Sequence, residues 1–355
     1  MEADVNDPPN LDLLPEAIQG AQALEELLSR PTPAAVRAMG QIEGDLLVLG
    51  AAGKMGPTLA RMARRASDAA GVRRRIVGVS RFSQPESRDA LEAHQLETLQ
   101  GDLLDRPFVD GLPDVPNVIF MAGMKFGTQG NEARTWAMNV YLPAVVCEKF
   151  HRSRIVAFST GNVYGLVPVD SAGSVETDPL RPCGEYAMSC LGRERIFEYF
   201  SRTYGTRTAL VRLNYAVEMR YGVLVDLAER VYDGQTVDLS MGYVNVIWQG
   251  EANALALCAL PDARSPPLYL NVAGPERLSV REVCEQFGRI LDKPVRFRGD
   301  ESPDALLNNG QEAYRRYGPT RVGVQQMIRW IAQWIRDGGP RLGRRTHFES
   351  RNGAF

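Results

Sequence analysis

Length, composition and charge exclude several classes of protein before any motif is considered. The 355 residues are 44% hydrophobic and 24% charged, which is typical of a globular protein with one large or two modest domains. The formal net charge of -2 gives no reason to expect nucleic acid or a membrane surface as a partner. No apolar run approaches the length of a transmembrane helix, and the acidic start of the chain lacks the features of a signal peptide.

The histidines and cysteines are scattered without the spacing of a metal site. His94, His151 and His347 lie far apart in the chain, and no two cysteines form a C-x-x-C pair. We therefore expect reduced thiols, a cytoplasmic protein and no bound metal. The cysteines are Cys147, Cys183, Cys190, Cys258 and Cys284.

Residues 1–43 precede the first predicted strand and form a helical extension. Pro8, Pro9 and Pro15 predict an irregular start. Residues 16–28 have the pattern of a short amphipathic helix, and residues 34–42 could form a second helix capped by Thr32. We expect this extension to pack on the domain or on another subunit rather than to catalyse a reaction.

A strand of four apolar residues, 46–49, leads directly into three regularly spaced glycines. Gly50 permits a tight turn, Gly53 lets the backbone approach a pyrophosphate, and Gly56 lets a helix pack closely on the strand. A helix predicted over 54–70 would direct its first amides at the anion. The pattern predicts a dinucleotide site that includes Lys54 and Met55 of the same turn.

Strands then alternate with helices as far as residue 213. This alternation predicts an α/β fold with a doubly wound parallel (Rossmann) sheet over 44–213, which binds ligands at the carboxyl ends of its strands. The further predicted strands are 75–79, 96–99, 118–121, 155–158 and 208–213, and the longest predicted helices are 132–151 and 185–204.

The alternation loosens beyond residue 213, where we expect a smaller C-terminal substrate lobe over 214–338, interleaved with returns to the main sheet at about 243–274. Ser279 and Glu282 form a capping box at the start of one predicted helix of this lobe. The remaining predicted helices are 221–233, 251–260 and 325–335, and the predicted strands are 244–248, 268–272 and 295–297. Residues 339–355 are expected to form a mobile tail.

Seven short motifs, in this order and spacing, resemble the extended short-chain dehydrogenase/reductases, specifically the NAD-dependent epimerase/dehydratase family of sugar-nucleotide enzymes. The resemblance covers about residues 45–335. The motifs are LGAAGKMG (49–56), GDL (101–103), FMAGMKFG (120–127), MNVYLPAVV (138–146), FSTGNVYG (158–165), Tyr186 and NVAGPERLSVREV (271–283).

The resemblance implies roles for individual residues. Asp102 would accept a hydrogen bond from the adenine amino group, and Leu103 would pack on the adenine ring. Thr160 would bond the oxygen that is oxidised or reduced, and Tyr186 would be the catalytic tyrosine. The glycines would hold the pyrophosphate, while the nicotinamide side of the cleft would be lined by Ala122, Gly123 and Lys125, with Asn139 beneath.

The end of the second strand bears on the choice of cofactor. An acidic residue there would bind the adenosine 2′-hydroxyl of NAD, but this chain has Ser80 and Arg81. A guanidinium with a neighbouring hydroxyl suits a 2′-phosphate, so the sequence slightly favours NADP over NAD.

The active-site helix departs from the family pattern. The family has Tyr-x-x-x-Lys, whereas this chain has Cys190 four residues after Tyr186. A cysteine cannot bind ribose hydroxyls as an ammonium does, nor lower the pKa of the tyrosine. Three interpretations follow: Lys125 or Arg193 replaces the missing cation, or catalysis is impaired, or Cys190 is itself reactive as a thiolate beside Lys125.

The part of the chain that would bind the substrate departs further from the family pattern. Asn162 is a candidate substrate contact, as are Asn214 and Tyr215 after the sixth strand, and no uracil or guanine pocket is recognisable. We expect an NAD(P)-dependent oxidoreductase, epimerase or dehydratase that transfers hydride at a hydroxyl-bearing carbon of a sugar, a sugar nucleotide or a related polyhydroxylated substrate. The alternative is a non-catalytic dinucleotide-binding or scaffold protein. The resemblance also implies a homodimer formed through helices 132–151 and 185–204.

Overall fold

Seven parallel strands form one central sheet, whose topology decides where a ligand can bind. The computed structural model describes residues 14–125 and 127–353, without the side chain of Pro85. The strands are β1 (Leu46–Leu49), β2 (Ile76–Ser80), β3 (Glu97–Gln100), β4 (Asn117–Phe120), β5 (Arg154–Thr160), β6 (Arg207–Leu213) and β7 (Leu268–Val272). Their order is β7-β6-β5-β4-β1-β2-β3, so the sheet winds in opposite directions from a switch point between β1 and β4.

Helices cover both faces of this sheet. They are α1 (Gly20–Leu28), α2 (Pro33–Gln41), α3 (Gly56–Ala69), α4 (Pro85–Glu92), α5 (Arg106–Asp110), α6 (Glu132–Trp136), α7 (Leu142–Phe150), α8 (Gly184–Tyr204), α9 (Val223–Tyr232), α10 (Gln249–Asp262), α11 (Val280–Leu291), α12 (Gln311–Tyr317) and α13 (Val324–Arg336). Alternate side chains of β1 serve the two faces, as the pleat of a strand requires. Leu46 and Val48 pack with α2, α3 and α10, whereas Leu47 and Leu49 pack with α5, α7 and α8.

The predicted doubly wound sheet is therefore confirmed, and most predicted elements lie within two residues of their observed bounds. Two differ in detail. The helix predicted over 132–151 is interrupted by a π-helical turn, Ala137–Tyr141, between α6 and α7. The strand predicted over 244–248 is divided into Tyr243–Val244 and Ile247–Trp248, which pair with Leu278–Ser279 and Ala216–Val217 respectively.

A second core lies in the smaller C-terminal lobe, where α9, α11 and α13 pack together. Trp330 of α13 lies 5.5 Å from Trp248 between ring centroids. The lobe also contains the paired short strands Thr236–Asp238 with Arg296–Arg298, and Val167–Pro168 with Asp304–Ala305.

The helical extension is divided between the two cores. The first helix begins at Gly20 rather than residue 16 and packs on the smaller lobe through Leu24 and Leu28. The second helix packs beside α3 and α10, and Thr32 caps it by accepting a hydrogen bond from Ala35 N at 3.1 Å. Pro8 and Pro9 lie outside the described residues.

Residues 340–353, here called the C-terminal strap, differ from the expected mobile tail. Phe348 is fully buried in the core of the smaller lobe. The backbone N–H and hydroxyl of Thr346 both donate to Asp226 Oδ2, at 2.8 and 2.6 Å. Arg351 donates to the carbonyl of Asp304 at 2.9 Å. The strap is thus fastened to the lobe by one apolar anchor and several polar ones.

Two further features follow from the described residues. None of their helices combines the length and the apolar character that a membrane span would need. Within the same residues, no three His, Cys, Asp or Glu side chains are grouped so that they could hold a metal ion.

Truncation of the buried aromatic ring tests the packing of the strap. We expect Phe348→Ala to lower the free energy of unfolding by about 3–5 kcal/mol, because it opens a cavity in the lobe. Urea unfolding measures this, and Leu342→Ala is the control because its side chain is 45% exposed. Equal unfolding midpoints for wild type and Phe348→Ala would contradict the strap's place in the core.

Candidate active site at the carboxyl edge of the sheet

The glycine turn after β1 has the close approaches expected of a pyrophosphate cradle. Gly50 has φ +91°, and a Cβ there would lie 2.8 Å from Ala122 N on the neighbouring strand end. A Cβ at Gly56 would collide with the backbone of Ala51, so the start of α3 can pack against the turn only as glycine. The backbone is therefore exposed to a ligand at the first turn of a long helix, an arrangement that favours an anion.

One cavity extends from this turn along the ends of β2 and β3. Arg81 is exposed beside Ser80, and its carbonyl accepts a hydrogen bond from the side chain of Gln100 at 3.0 Å. Asp102 Oδ1 accepts from Leu104 N at 3.0 Å, which fixes the carboxylate at the cavity wall. The predicted residues that line this cavity are Gly50, Gly53, Ser80, Arg81, Asp102, Leu103, Ala122 and Gly123.

A second cavity of about 550 Å³ lies between the glycine turn and the smaller lobe. The two cavities share Gly50, Gly53 and Gln84, so they are parts of one cleft. The predicted residues that line the second cavity are Gly50, Gly53, Lys54, Met55, Gly56, Lys125, Thr160, Asn162, Tyr186, Asn214 and Tyr215. Asn139 alone among the predicted site residues lines neither cavity.

Asn139 is instead buried beneath the loop that follows β4. Its side-chain amide donates to Met124 O at 2.9 Å, while its Oδ1 accepts from Met124 N at 2.9 Å. Nη2 of Arg193 also donates to Oδ1 at 2.5 Å, and Nη1 donates to Phe158 O at 2.8 Å. Asn139 and Arg193 therefore hold the loop from behind rather than contact a ligand.

Tyr186 and Thr160 are brought together as predicted. Thr160 ends β5, Tyr186 lies in the first turn of α8, and the hydroxyl of Thr160 and the thiol of Cys190 are neighbours of the tyrosine hydroxyl. Burial, followed by the neighbouring Cys190, raises the pKa of Tyr186 well above its usual value. Tyr186 is therefore a neutral phenol at physiological pH.

The same environment bears on the interpretations of Cys190. Burial raises the pKa of the Cys190 thiol, so this side chain is a neutral thiol and not the reactive thiolate of the third interpretation. Arg193 is held by Phe158 and Asn139 behind the cleft. Of the two cations considered as replacements, the one that lines the cavity is Lys125, whose Nζ lies 5.9 Å from the centroid of the Tyr186 ring.

The two lysines of the second cavity are both partly desolvated. Burial lowers the pKa of Lys125 to about 8, against the opposing influence of Cys190. Burial also lowers the pKa of Lys54 to about 7, against the attraction of Glu218. The ammonium of Lys54 donates to Ala216 O at 3.3 Å and lies 3.9 Å from the centroid of the Tyr221 ring. The Lys54 side chain is therefore directed at the smaller lobe, and only its backbone belongs to the glycine turn.

The candidate substrate residues differ in how their side chains are used. The amide of Asn214 donates to Asn245 Oδ1 at 2.8 Å, so one of its polar groups is already engaged. Tyr215 lines the second cavity. Its φ of 40° is in the left-handed region, which is uncommon for residues other than glycine. Arg212 and Arg220 form ion pairs with Glu194 and Glu218 respectively, so neither guanidinium is free to bind an anion in the cleft.

Sequence reasoning missed several residues of the cleft. Gln84 joins the two cavities, and Tyr221 and Gly222 form part of the wall on the smaller lobe. Leu342, Arg344 and Thr346 of the strap complete that wall. Gln84 could have been suspected from its place four residues after β2, but nothing in the pattern of the strap indicates a site.

The chain was compared with known proteins by sequence and by structure. A comparison with curated protein sequences finds no match. The dTDP-glucose 4,6-dehydratase of Bacillus anthracis has a TM-score of 0.70 at 15% identity, over 83% of this chain and 97% of that one. The enzyme of the same name from Streptomyces venezuelae has a TM-score of 0.70 at 20% identity, over 82% and 97%. The UDP-glucose 4-epimerase of Thermotoga maritima has a TM-score of 0.68 at 18% identity, over 83% and 99%.

These structural likenesses establish the fold. The family follows from the sequence itself, because the model of the NAD dependent epimerase/dehydratase family matches residues 46–237, which is more than half of the chain. The chain belongs to the NAD dependent epimerase/dehydratase family.

Proposed function

We propose that this chain is an NAD(P)-dependent oxidoreductase, epimerase or dehydratase that acts on a hydroxyl-bearing or keto carbon of a carbohydrate-like substrate. The observation that carries the proposal is the neighbouring pair of Thr160 and Tyr186, which lines the same cleft as the glycine turn. Membership of the family supports it. So do solved neighbours, since the Bacillus anthracis dehydratase is in complex with NAD and the Thermotoga maritima epimerase with UDP-glucose.

The cleft has the features that a nicotinamide dinucleotide requires. The glycine turn and the first amides of α3 would hold the pyrophosphate, and the cavity beside Asp102 and Leu103 would take the adenosine. The backbone of Ala122 and Gly123 would lie beside the second half of the dinucleotide. When bound, the nicotinamide ring supplies hydride transfer, which no side chain can perform.

Tyr186 and Thr160 would handle the proton of the substrate oxygen. Because the phenol of Tyr186 is neutral, it suits the role of a general acid that donates its proton to a carbonyl oxygen as the carbonyl is reduced. The hydroxyl of Thr160 would hold the same oxygen. In the opposite direction the phenol needs a nearby positive charge, and Lys125 would provide it from the loop after β4.

Removal of the phenol hydroxyl tests this assignment. We expect Tyr186→Phe to lower turnover by about 100-fold or more, since general acid catalysis typically contributes that much. Affinity for the reduced cofactor, followed by its fluorescence, should stay within about twofold. Turnover would be screened with UDP-glucose, dTDP-glucose and free sugars. The absorbance of the reduced nicotinamide follows a net oxidation or reduction, and NMR of the product follows epimerisation or dehydration, in which the hydride returns to the substrate. Unchanged turnover in Tyr186→Phe would exclude this tyrosine as the acid.

Cys190→Lys distinguishes an organised site from one that has lost its lysine. We expect Cys190→Lys to have a lower turnover than the wild type, because a buried ammonium at position 190 would lie beside the guanidinium of Arg193. Cys190→Ser is the matched control. It replaces the thiol with another small, neutral hydrogen-bond donor and should retain most of the activity. A gain of activity in Cys190→Lys would instead favour the interpretation of an impaired enzyme.

We propose NADP as the preferred cofactor. The support is the position of Ser80 and the exposed Arg81 in the wall of the cavity assigned to adenosine. The solved neighbours are described with NAD, so the preference rests on these two residues of this chain.

Loss of the Arg81 guanidinium should weaken the binding of NADPH more than the binding of NADH. We expect Arg81→Ala to weaken NADPH binding about tenfold, the loss of one charge-assisted hydrogen bond, and to change NADH binding less than about twofold. Fluorescence titration measures both affinities. Arg88→Ala is the control, because Arg88 is an exposed arginine of α4 paired with Glu92. If the affinity of neither cofactor changes in Arg81→Ala, the assignment of Arg81 is wrong.

We also propose a homodimer formed through the helices α6–α7 and α8. Large apolar side chains are exposed on these helices, which is unusual for a surface in contact with water alone. They are Trp136, Tyr141, Met188, Tyr199 and Tyr204. A cytoplasmic location stays a prediction from the five unpaired cysteines.

A charge placed on this apolar surface should separate the protomers. We expect light scattering to give a dimer mass for the wild type and a monomer mass for the double variant Tyr141→Glu/Tyr199→Glu, because burying two carboxylates is costly. Val175→Glu, at an exposed apolar residue outside these helices, should remain dimeric. A monomeric wild type at micromolar concentration would contradict the proposal.

A further inference from the structure

Three residues of the strap line the second cavity, and the strap is anchored to the smaller lobe before and after Arg344. On one side, Leu342 N donates to the carbonyl of Arg220 at 3.2 Å. On the other, Thr346 is bonded to Asp226 and Phe348 is buried. The alternate residues Leu342, Arg344 and Thr346 line the cavity. The position of Arg344 is therefore determined by anchors on either side of it.

The second cavity is lined by charges of one sign. Its lining contains Lys54, Lys125 and Arg344 but no carboxylate. The nearby acids Glu218 and Asp226 are buried outside this lining, where Glu218 pairs with Arg220 and Asp226 accepts from Thr346. Both acids attract Lys54, and Asp226 also attracts Lys125, so they offset part of the positive charge without contributing a carboxylate to the wall. A cleft with cations on its walls raises the local concentration of anions.

Arg344 differs from the other arginines of the strap. Arg341 pairs with Glu229, Arg345 donates to the carbonyl of Asp226, and Arg351 pairs with Asp304. Arg344 is exposed and has neither an ion pair nor a hydrogen bond within the described part of the chain. Burial and then Asp226 raise the pKa of Tyr221, and the charge of Arg344 opposes them. Lys54 lies 3.9 Å from the centroid of the Tyr221 ring, and Arg344 lines the same cavity as both residues.

We propose that Arg344 is a specificity-determining residue that binds an anionic group, a carboxylate or a phosphate, on the reacting part of the substrate. A guanidinium presents two parallel donors to either group, and Lys54 would add a point charge beside it. The substrate class is then an acidic or phosphorylated polyhydroxylated compound. This inference rests on the proposed function, since that function makes this cavity the substrate end of the cleft.

Calorimetry with three small probes tests the inference. D-glucose, D-glucuronate and D-glucose 1-phosphate are titrated into the full chain, once alone and once with NADPH at saturation. We expect at least one anion to bind about tenfold more tightly than glucose, and to lose that advantage in Arg344→Ala. Arg344→Lys should keep part of it. Arg341→Ala is the matched control, because Arg341 lies on the same strap and outside the cavity.

The titrations with the two anionic sugars distinguish the possible outcomes. Tighter binding of glucuronate alone identifies a carboxylate ligand, and tighter binding of glucose 1-phosphate alone identifies a phosphate ligand. If neither anion binds more tightly than glucose, or if Arg344→Ala keeps the wild-type preference, the inference is wrong. A tenfold loss of NADPH affinity in Arg344→Ala would assign the residue to the cofactor instead and also overturn it. Failure of both NADPH and NADH to bind the wild type would overturn the proposed function, while the titrations without cofactor would still judge Arg344.

Discussion

A buried ion pair between Glu194 and Arg212 connects helix α8, which carries Tyr186, to strand β6 of the central sheet. Arg212 Nη2 lies 2.7 Å from Glu194 Oε2, and both side chains are almost completely excluded from water. Ser159 also donates to Glu194 Oε1, at 2.6 Å. Because Ser159 precedes Thr160 on β5, and Glu194 follows Tyr186 two turns along α8, the pair fixes the hydroxyls of Thr160 and Tyr186 relative to each other. Loss of one partner would leave an uncompensated charge in the core, at a cost of about 3–5 kcal/mol.

The replacement of the family's lysine by Cys190 changes where positive charge is found. A lysine at position 190 would stand on the same rigid helix as Tyr186. Here the helix carries Arg193 one turn further on, bonded behind the cleft, while the cation beside the Tyr186 ring is Lys125 of a loop. The loop is itself held by Asn139, so the charge beside the phenol depends on a chain of contacts rather than on one helix.

The parts of the molecule that were predictable from sequence are those encoded in short local patterns. The strand Leu46–Leu49 and the glycines after it were recognisable because the turn requires those residues at that spacing. Arg344 was not, because the strap has no periodicity and its place is set by Phe348 in a core distant along the chain. Asn139 was predicted beneath the nicotinamide, but its side chain is hydrogen-bonded to the backbone of Met124 and to Arg193, which sequence spacing cannot reveal.

The π-helical turn at Ala137–Tyr141 has a consequence for how the long helix can change. A π-helical turn closes its hydrogen bonds one residue later than an α-helical turn, so it is equivalent to a single inserted residue. Deleting that residue would let the segment close as one continuous α-helix, with the parts before and after the turn in nearly the same relative orientation. Val145 and Val146 could then keep their packing against the sheet. The change would fall on the turn itself, which contains Asn139, so a one-residue deletion here would disturb the support of the loop after β4 rather than the core.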